Sequence, residues 1–330
     1  MGAYILRRML YIIPVTLGVV TVAFVLLRLV PGDPITLYYF GQDQPGQASA
    51  SAAGLESEST LERLREAYNL DKSMPHQYVL YLADLVRGDL GISIRKKRPV
   101  LHIIGDHWPA TMQITLVGMS VAIVVGLTAG ILSAIKHHTI IDYAAQMFAI
   151  IGVSVPQFLL GLVLIFIFAI LWRTDEGLGM LPAISNGHGK ELILPSITLG
   201  LAASAILARL TRSSMLDVMS RDYIRTARAK GLRERAVIWM HALRNALIPI
   251  VTVIGLEFGG LLGGAVVIET VFTRQGLGFQ LINSINQRDY PIVQGLVVMA
   301  ALVYALMNLV VDVLYTYIDP RVRLEESTAT

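Results

Sequence analysis

Long apolar runs separated by short polar segments dominate the pattern of this chain, and they predict its helices. Six runs are mostly uncharged and about 20 residues long, which is the length that an α-helix needs to cross a membrane. They are Met9–Val30, Ile114–Ile135, Ala144–Leu171, Leu192–Ala208, Leu247–Ile268 and Ile292–Ile318. Pro156 predicts a kink in the third run, and Glu257 interrupts the fifth. The pattern therefore predicts an all-α polytopic membrane protein with six transmembrane helices.

The composition supports this class of protein. Charged residues make up 15% of the 330 residues, against about 25% in a typical soluble domain. The chain has no cysteine, which excludes disulfides and cysteine-based metal or redox sites. The first apolar run, from Met9 to Leu27, is longer than the roughly 7–15 residues of a signal-peptide core. We therefore expect it to be a retained helix with Arg28 at its end.

The distribution of Lys and Arg predicts the orientation of the spans. With six spans, the side that holds both termini carries 14 of these residues, and the short loops of the other side carry four. Because positive residues are retained in the cytoplasm, we expect both termini to be cytoplasmic. The basic cluster Arg95–Arg98 falls on the outer side, in a loop of roughly 80 residues, and long loops cross membranes largely regardless of charge.

The segment between the first two spans predicts a small outer subdomain. Residues 41–59 are rich in Gln, Ser, Ala and Gly, which is typical of a flexible insertion. Amphipathic patterns over 60–68 and 76–86 predict two short helices. The predicted domains are an N-terminal transmembrane helix (1–30), a periplasmic or extracellular helical subdomain (31–107), a transmembrane core (108–318) and a cytoplasmic tail (319–330).

The densest polar segment is the predicted cytoplasmic loop 209–246, which holds nine of the 27 Lys and Arg residues. Its pattern predicts a helix over Asp222–Lys230, a left-handed Gly231 after it, and a second helix over Arg233–Leu247. We expect an exposed set of Arg225, Arg228 and Lys230, and a buried stripe of Ala236, Met240, Leu243 and Leu247. This arrangement favours a docking surface for a soluble partner, and the alternative is an ordinary positively charged cytoplasmic loop.

Small residues recur along the fifth span. Gly255, Gly259 and Gly263 follow one another at intervals of four, as do Gly260 and Gly264. This spacing lets helix backbones approach closely in lipid. Two interpretations stay open, namely packing within the chain and a translocation path at the interface with a partner subunit.

Glu257 lies near the middle of the same span, where an acidic side chain is costly and faces a cavity or a polar partner. One interpretation is a path residue that meets a cationic or amine-bearing solute. The other is a structural residue that is hydrogen-bonded, with Asn308 or Asp312 as candidate partners.

Catalytic and metal motifs are missing from the sequence. It contains no G-x-x-x-x-G-K-[ST] phosphate loop, no H-E-x-x-H zinc motif and no G-x-S-x-G nucleophile elbow. His137 and His138 are adjacent and point different ways on a helix, so we expect no metal there. The basic loop lacks interleaved aromatic residues, which argues against nucleic acid. We therefore predict no catalytic residue, no metal and no cofactor.

The loop 209–246 resembles the cytoplasmic coupling motif of binding-protein-dependent ABC importer permeases. That motif reads Glu-Ala-Ala, three residues, Gly, nine residues, then Ile-x-Leu-Pro. Ala227, Gly231 and Leu243 match it, while Arg225, His241 and Arg244 replace the Glu, the Ile and the Pro. The chain is similar to the dipeptide/oligopeptide/nickel branch along nearly its whole length. The segments that carry this similarity include Leu29–Pro34, Gly88–Ser93, Trp108–Thr111, Asp222–Leu232, Gly259–Gly264, Glu269–Phe272 and Asp319–Arg323.

The resemblance implies the type I ABC importer permease (MetI-like) fold and a place in a bacterial cytoplasmic (inner) membrane. It implies a non-catalytic permease subunit that imports di- or oligopeptides or a similar small solute. The implied partners are a second, homologous permease in a heterodimer, two cytoplasmic ABC ATPases that bind and hydrolyse ATP, and an extracytoplasmic solute-binding protein. A secondary transporter or channel driven by an ion gradient is the alternative function.

The resemblance also assigns roles to residues. Those expected to couple to the ATPases are Tyr223, Arg225, Thr226, Ala227, Lys230, Gly231, Leu232 and Leu243. Those expected to line the translocation path or pack helices are Glu257, Gly259, Gly260, Gly263 and Gly264. Closure of the ATPases would move the coupling residues as a rigid body and swing the fifth span between two states.

Overall fold

The computed structural model describes residues 2–30, 62–63, 65–172, 180–185, 187 and 189–318. Side chains are described for all of these except residues 2–7, 312 and 314–318. The predicted flexible insertion 41–59 and the predicted tail 319–330 lie outside the described residues.

Helices account for most of the described chain. In order, they are α1 (Gly2–Leu29), α2 (Met74–Val86), α3 (Val100–Ile135), α4 (Ile140–Ser154), α5 (Gln157–Ile165, extended by a π-helical turn Phe166–Leu171), α6 (Ile193–Met219, after a 3-10 turn Gly189–Leu192), α7 (Asp222–Ala229), α8 (Glu234–Val271), α9 (Leu277–Asn286) and α10 (Tyr290–Ile318). The predicted all-α class is confirmed.

Five of these helices are long and apolar enough to cross a membrane, and the pair α4 and α5 makes a sixth if it counts as one span. The two helices of the pair are bent by 105° at the break between Ser154 and Gln157. Pro156 causes the break because it lacks an N–H and disfavours the helical conformation in the residue before it. Val155 is accordingly extended, with φ −83° and ψ 123°. The predicted kink is confirmed, and it is sharp enough to separate two helices.

The predicted end of the fourth span at Ala208 is wrong, because α6 continues to Met219. The two helices predicted within 209–246 are confirmed, since α7 runs from Asp222 to Ala229 and α8 begins at Glu234, one residue after the predicted Arg233. Helical hydrogen bonding continues past the point where charged side chains begin, so the end of an apolar run does not mark the end of a helix. Glu257 does not interrupt the fifth span either, because α8 runs unbroken through it.

The chain divides into two compact units. The first, here called the core unit, comprises Met1–Tyr11, Trp108–Phe279 and Val303–Thr330, and the second unit comprises Ile12–His107 and Gln280–Leu302. A boundary between units falls at Trp108, the residue at which the sequence analysis begins the transmembrane core. The division of the chain into four domains stays a prediction.

The core unit is built on close contact between α3, α6 and α8. Leu199, Leu207, Leu261 and Phe272 belong to its fully buried apolar cluster. Two glycines of α3 allow the backbone of α6 to approach. A Cβ on Gly126 would lie 2.7 Å from the Cβ of Leu207. A Cβ on Gly130 would likewise overlap Thr211, so any larger residue at either position would push the helices apart.

The second unit packs α1 against α2 through aromatic side chains. The Phe24 ring meets Tyr78 edge-on at 5.3 Å and stacks on Tyr81 at 5.8 Å between ring centroids. The Thr21 and Tyr78 hydroxyls form a 2.6 Å hydrogen bond. These contacts hold the end of α1 in a defined position against α2.

Candidate functional site

The helix α7 is amphipathic, and its apolar side anchors it to the core unit. Ile224 is fully buried and Ala227 is 7% exposed. They belong to an apolar cluster that also contains Ala134, Met215, Val237, Ile238, Ala242 and Ala246, with Leu243 packed against it. The ends of α3 and α6 and the start of α8 therefore all contact α7, and a displacement of α7 must act on three long helices.

The other side of α7 is exposed. Tyr223 and Leu232 expose 44% and 43% of their surfaces, and Arg225, Thr226 and Lys230 are exposed as well. The structure thus divides the predicted coupling residues into two groups. Ala227 and Leu243 hold α7 in place, while the side chains of Tyr223, Arg225, Thr226, Lys230 and Leu232 are exposed. The predicted exposure of Arg225, Arg228 and Lys230 is confirmed.

Gly231 ends α7 in the left-handed conformation that the sequence predicts, with φ +77°. Its N–H donates to the Arg228 carbonyl at 2.9 Å, and the Lys230 N–H donates to the Thr226 carbonyl at 3.0 Å. Glycine adopts this conformation without the steric cost that a Cβ would bring. The turn therefore directs the chain from α7 into α8 without strain.

An ion pair closes the same turn. The Arg228 guanidinium donates to both oxygens of Glu234, at 2.7 and 3.1 Å. The Glu234 carboxylate raises the pKa of Arg228, so the pair stays ionised. Sequence spacing alone did not reveal this contact, because the five intervening residues include the glycine turn.

The buried side of the start of α8 differs from the predicted stripe. Residues Val237–Ala242 form a π-helical turn, which adds a residue to the turn and rotates the following side chains by about 100°. Val237, Ile238 and Ala242 are buried as a result. Met240, which the α-helical pattern places in the buried stripe, is 67% exposed. The prediction for Met240 was wrong for this reason.

A buried ion pair joins α4 to α6 in the core unit. The Asp142 side chain is 1% exposed and accepts hydrogen bonds from Arg212 Nε at 2.7 Å and Nη2 at 3.0 Å. Ser133, Gln146 and the N–H of His138 also donate to its two oxygens. Donors from α3, from the turn after it, from α4 and from α6 therefore fix the position of one carboxylate.

This carboxylate also lies near two histidines. Ligand atoms of His137, His138 and Asp142 lie within 4.8 Å of one another. Both Asp142 oxygens already accept hydrogen bonds, and the Arg212 guanidinium supplies the neutralising charge. The arrangement does not favour a cation, and the absence of a metal stays a prediction.

Glu257 lies on α8 in a half-buried position. Among the residues whose side chains the structure describes, neither Asn308 nor any other forms a hydrogen bond or ion pair with its carboxylate. The Asp312 side chain is not among those described. A Cβ on Gly260 would lie 4.0 Å from Glu257 Oε2, so the carboxylate lies beside that glycine.

The glycines of α8 fall into two groups. A Cβ on Gly259 would lie 2.8 Å from the Tyr304 ring, and one on Gly264 would lie 2.9 Å from Gln157 Oε1. These two glycines allow other helices of the same chain to pack closely against α8. Gly260 and Gly263 are exposed, and a Cβ on Gly263 would meet nothing within 4 Å. They share a side of α8 with the exposed residues Leu256 and Val267.

A buried polar network around Glu269 escaped the sequence analysis. The Glu269 carboxylate accepts hydrogen bonds from the Thr111 hydroxyl at 2.5 Å and from the N–H groups of Gly278 and Phe279 at 2.8 and 3.1 Å. The Thr111 oxygen accepts in turn from the Leu277 N–H at 2.8 Å. The only sequence signal was that Thr111 and Glu269 both lie in segments that carry the family resemblance.

Arg274 completes this network. Its guanidinium donates to the Ser185 hydroxyl at 2.9 Å, to Gln113 Oε1 at 2.7 Å, and to the carbonyls of Ala110 and Gly187 at 3.0 and 3.1 Å. Burial lowers the pKa of Arg274, and the nearby Glu269 carboxylate opposes this shift. The side chain therefore ties the start of α3 to the segment after α8.

These features define an all-helical protein with apolar helices long enough to cross a membrane and an exposed amphipathic helix anchored among them. Its fold is similar to that of the MetNI methionine ABC transporter, with a TM-score of 0.55 at 18% identity, over 66% of this chain and 97% of that one. Residues 126–324 match the family described as the binding-protein-dependent transport system inner membrane component. The chain belongs to this family of ABC importer permeases.

Two relatives align over almost the whole chain. The glutathione transport system permease protein GsiC of Pectobacterium atrosepticum is 41% identical over 97% of this chain and 98% of its own length. The dipeptide transport system permease protein DppB of Alkalihalophilus pseudofirmus is 40% identical over 98% of this chain and all of its own. The predicted branch of the family is confirmed, and the family decides against the alternative of an ion-gradient transporter.

Proposed function

We propose that this chain is the permease subunit of an ATP-driven importer for dipeptides, oligopeptides or a peptide-like solute such as glutathione. The names of the two full-length relatives support this class of solute. A second, homologous permease forms a heterodimer with the chain, two ATPases bind on the cytoplasmic side, and an extracytoplasmic binding protein delivers the solute. Both termini are cytoplasmic, and the chain itself has no cofactor and no catalysis.

The division of α7 into a buried and an exposed side is the observation that carries this proposal. Ile224 and Ala227 fix the helix to the ends of α3, α6 and α8, and Arg225 and Tyr223 stay exposed for an ATPase. When an ATPase displaces the exposed side of α7, α8 therefore moves with it. The side of α8 that carries the exposed Gly260 and Gly263 and the half-buried Glu257 then lines the path and the contact with the second permease.

Transport by the reconstituted complex tests the proposal. The chain, its partner permease and the ATPases are placed in proteoliposomes with the binding protein, and uptake of a radiolabelled dipeptide and of glutathione is measured with and without ATP. We expect uptake that requires both ATP and the binding protein. Uptake that persists without the ATPases, or that follows an ion gradient, would contradict it.

A matched pair of variants tests the coupling surface. Arg225→Gln removes an exposed cation from α7, and its 3.5 Å pair with Asp222 is too exposed to matter for folding. Arg87→Gln makes the same change at an exposed position of the second unit. We expect the first variant to lower solute-stimulated ATP hydrolysis severalfold and the second to leave it unchanged. If the two variants changed solute-stimulated ATP hydrolysis to the same extent, α7 would not be the coupling surface.

A further inference from the structure

The core unit contains a cavity of about 360 Å³ that the proposed transport mechanism does not use. It lies between three helices, to which α3 contributes Ser133, α4 contributes Ala145 and Ile150, and α6 contributes Arg209 and Arg212. Since all of these residues belong to one compact unit, their arrangement does not depend on how the two units are placed.

The wall of this cavity is charged at one end and apolar at the other. Arg209 and Arg212 form the charged end, and α4 begins beside them, because Asp142 in its first turn binds Arg212. Ile150 and Val153 line the cavity about two to three turns further along α4. They are 61% and 53% exposed, so the apolar end opens to the outside of the chain. A phospholipid has the same order of groups, with a charged headgroup at one end and apolar chains at the other.

Arg209 supplies the cavity with a charge that no described residue neutralises. Its side chain is exposed, and it forms neither an ion pair nor a hydrogen bond with a described residue. It follows directly after Ala208, the last residue of the apolar run of the fourth span. An arginine in this position lies at the level of the lipid headgroups, where basic side chains attract anionic lipids.

Arg212 supplies a second donor that a ligand can reach. Its Nε and Nη2 donate to the Asp142 carboxylate, which holds the guanidinium in a fixed direction. Its Nη1 forms no hydrogen bond with a described residue and retains solvent-accessible surface. An oxygen atom inside the cavity can therefore accept a hydrogen bond from Nη1 while the ion pair stays intact.

The charges around the cavity favour a ligand with one negative charge. Arg209 and Arg212 are the charged residues among the described ones that line it, and the buried Asp142 neutralises one of them. One positive charge remains, and no acidic side chain is among the described lining residues. A phosphodiester carries one negative charge, and its oxygens can accept from both guanidinium groups. A zwitterionic headgroup adds an ammonium group, for which the described wall offers no acid.

We propose that this cavity binds an anionic phospholipid. Its phosphodiester accepts from Arg209 and from Arg212 Nη1, and one acyl chain lies along Ile150 and Val153. A soluble phosphate compound fits less well, because it would leave these two apolar side chains uncovered. With the proposed orientation of the chain, the lipid belongs to the cytoplasmic leaflet. The binding itself depends neither on that orientation nor on which solute the complex transports.

Native mass spectrometry of the purified transporter complex tests this site. The complex is released from nanodiscs that contain equal amounts of phosphatidylglycerol and phosphatidylethanolamine, and the lipids that it retains are counted. We expect preferential retention of phosphatidylglycerol, and a roughly fivefold or greater loss in Arg209→Gln, which removes a charge-assisted hydrogen bond at an exposed position. Arg244→Gln is the control. It removes an exposed arginine of α8 that also has no partner among the described residues but does not line the cavity, so retention should not change.

Ala145→Phe tests the cavity without a change of charge. The added ring would fill the space beside α6 and leave both arginines in place, so we expect it to lower the retention of phosphatidylglycerol as well. Thermal unfolding of each variant separates lost binding from lost folding. If Ala145→Phe does not fold, Arg209→Gln carries the test, because its side chain is exposed. Unchanged retention in the folded variants, or an equal loss in Arg244→Gln, would overturn the proposal.

The same experiment distinguishes other occupants of the cavity. Glycerophosphoglycerol, which is the phosphatidylglycerol headgroup without its acyl chains, should not displace the retained lipid. Displacement would assign the cavity to a soluble phosphate compound and overturn the lipid. A wild-type complex that retains no phosphatidylglycerol, or that retains both lipids equally, would also contradict the proposal. Uptake is measured separately, so a failure of transport does not affect this result.

Discussion

The hydroxyl of Thr111 and the carboxylate of Glu269, 158 residues apart in the sequence, form a 2.5 Å hydrogen bond in the core unit. The bond joins α3 to α8 where both are fully buried, and the same hydroxyl accepts from the Leu277 N–H. One small side chain thus satisfies two groups, a buried carboxylate and a backbone N–H.

We predict that Thr111→Val destabilises the protein by about 1–3 kcal/mol for each buried group left unsatisfied. The substitution keeps the shape of the side chain and removes only the hydroxyl. Thermal unfolding of the purified protein in detergent measures the effect. Thr270→Val is the control, because Thr270 is exposed and its hydroxyl donates only to the Val266 carbonyl of its own helix. Equal melting temperatures for the two variants would show that the network does not stabilise the fold.

The pair Asp142 and Arg212 offers a second test of stability. Asp142→Asn leaves the 22% exposed Arg212 side chain without its anion, and Arg212→Met leaves the 1% exposed Asp142 carboxylate without its cation. A break of this kind costs roughly 3–5 kcal/mol, and we expect the lower end for Asp142→Asn and the larger cost for Arg212→Met.

The double variant should be less destabilised than the sum of the single ones, because no unpaired charge remains. A coupling of about 0.5–3 kcal/mol is expected between residues in such contact. Thermal unfolding of all four proteins of the cycle measures it. Strict additivity would mean that the contact contributes nothing beyond the separate side chains.

The sequence predicts most of the transmembrane helices, because hydropathy reports directly on burial in lipid. The spans around Ile114–Ile135 and Ile292–Ile318 lie within α3 and α10, and Pro156 marks the break in the third. The end of α6 at Met219 was missed because charged helical turns beyond the membrane have no hydropathy signal. The exposure of Met240 was missed because a single π-helical turn changes the phase of every later residue.

In the candidate site as well, local features were predictable from the sequence and contacts between distant residues were not. Gly231 was predictable because a left-handed residue is a local requirement of the turn. The contacts of Thr111 with Glu269 and of Arg28 with Gln77 link residues that are far apart in the sequence and have no shared local pattern. Sequence periodicity reports which side of a helix is apolar, and it does not report which polar groups meet across helices.

Gly231→Ala is expected to weaken coupling because it forces a Cβ into a left-handed conformation at φ +77°. The cost is about 1–2 kcal/mol, although nothing lies within 4 Å of the added atom. Gly231→Pro should be worse, since it also removes the 2.9 Å hydrogen bond to the Arg228 carbonyl. Solute-stimulated ATP hydrolysis and co-purification with the ATPases measure the effect.

Gly105→Ala is the matched control for Gly231, because its added Cβ also meets nothing within 4 Å but φ lies outside the left-handed range. It should leave coupling intact. Normal coupled transport by Gly231→Pro would count heavily against the assignment of α7 as the coupling element.

The two groups of glycines on α8 predict opposite phenotypes. Gly259→Ala places a Cβ 2.8 Å from the Tyr304 ring and should lower the melting temperature of the isolated chain. Gly263→Leu should not lower it, because the position is open, but it should prevent close approach of a second permease. The measurements are thermal unfolding of the chain and its co-purification with the partner. Intact assembly of Gly263→Leu would place the contact with the partner elsewhere.

A substitution of Glu257 tests whether a negative charge in the proposed path acts on the solute. Its carboxylate is half-buried and has no hydrogen-bond partner among the described side chains, so we expect it to meet the cationic end of the solute. Glu257→Gln preserves size and should lower uptake of a lysine-containing dipeptide several times more than uptake of a neutral one. Glu66→Gln, at an exposed position of the second unit, is the control and should change neither. If Glu257→Gln left the solute range, the uptake rate and the ATPase coupling unchanged, Glu257 would not belong to the path.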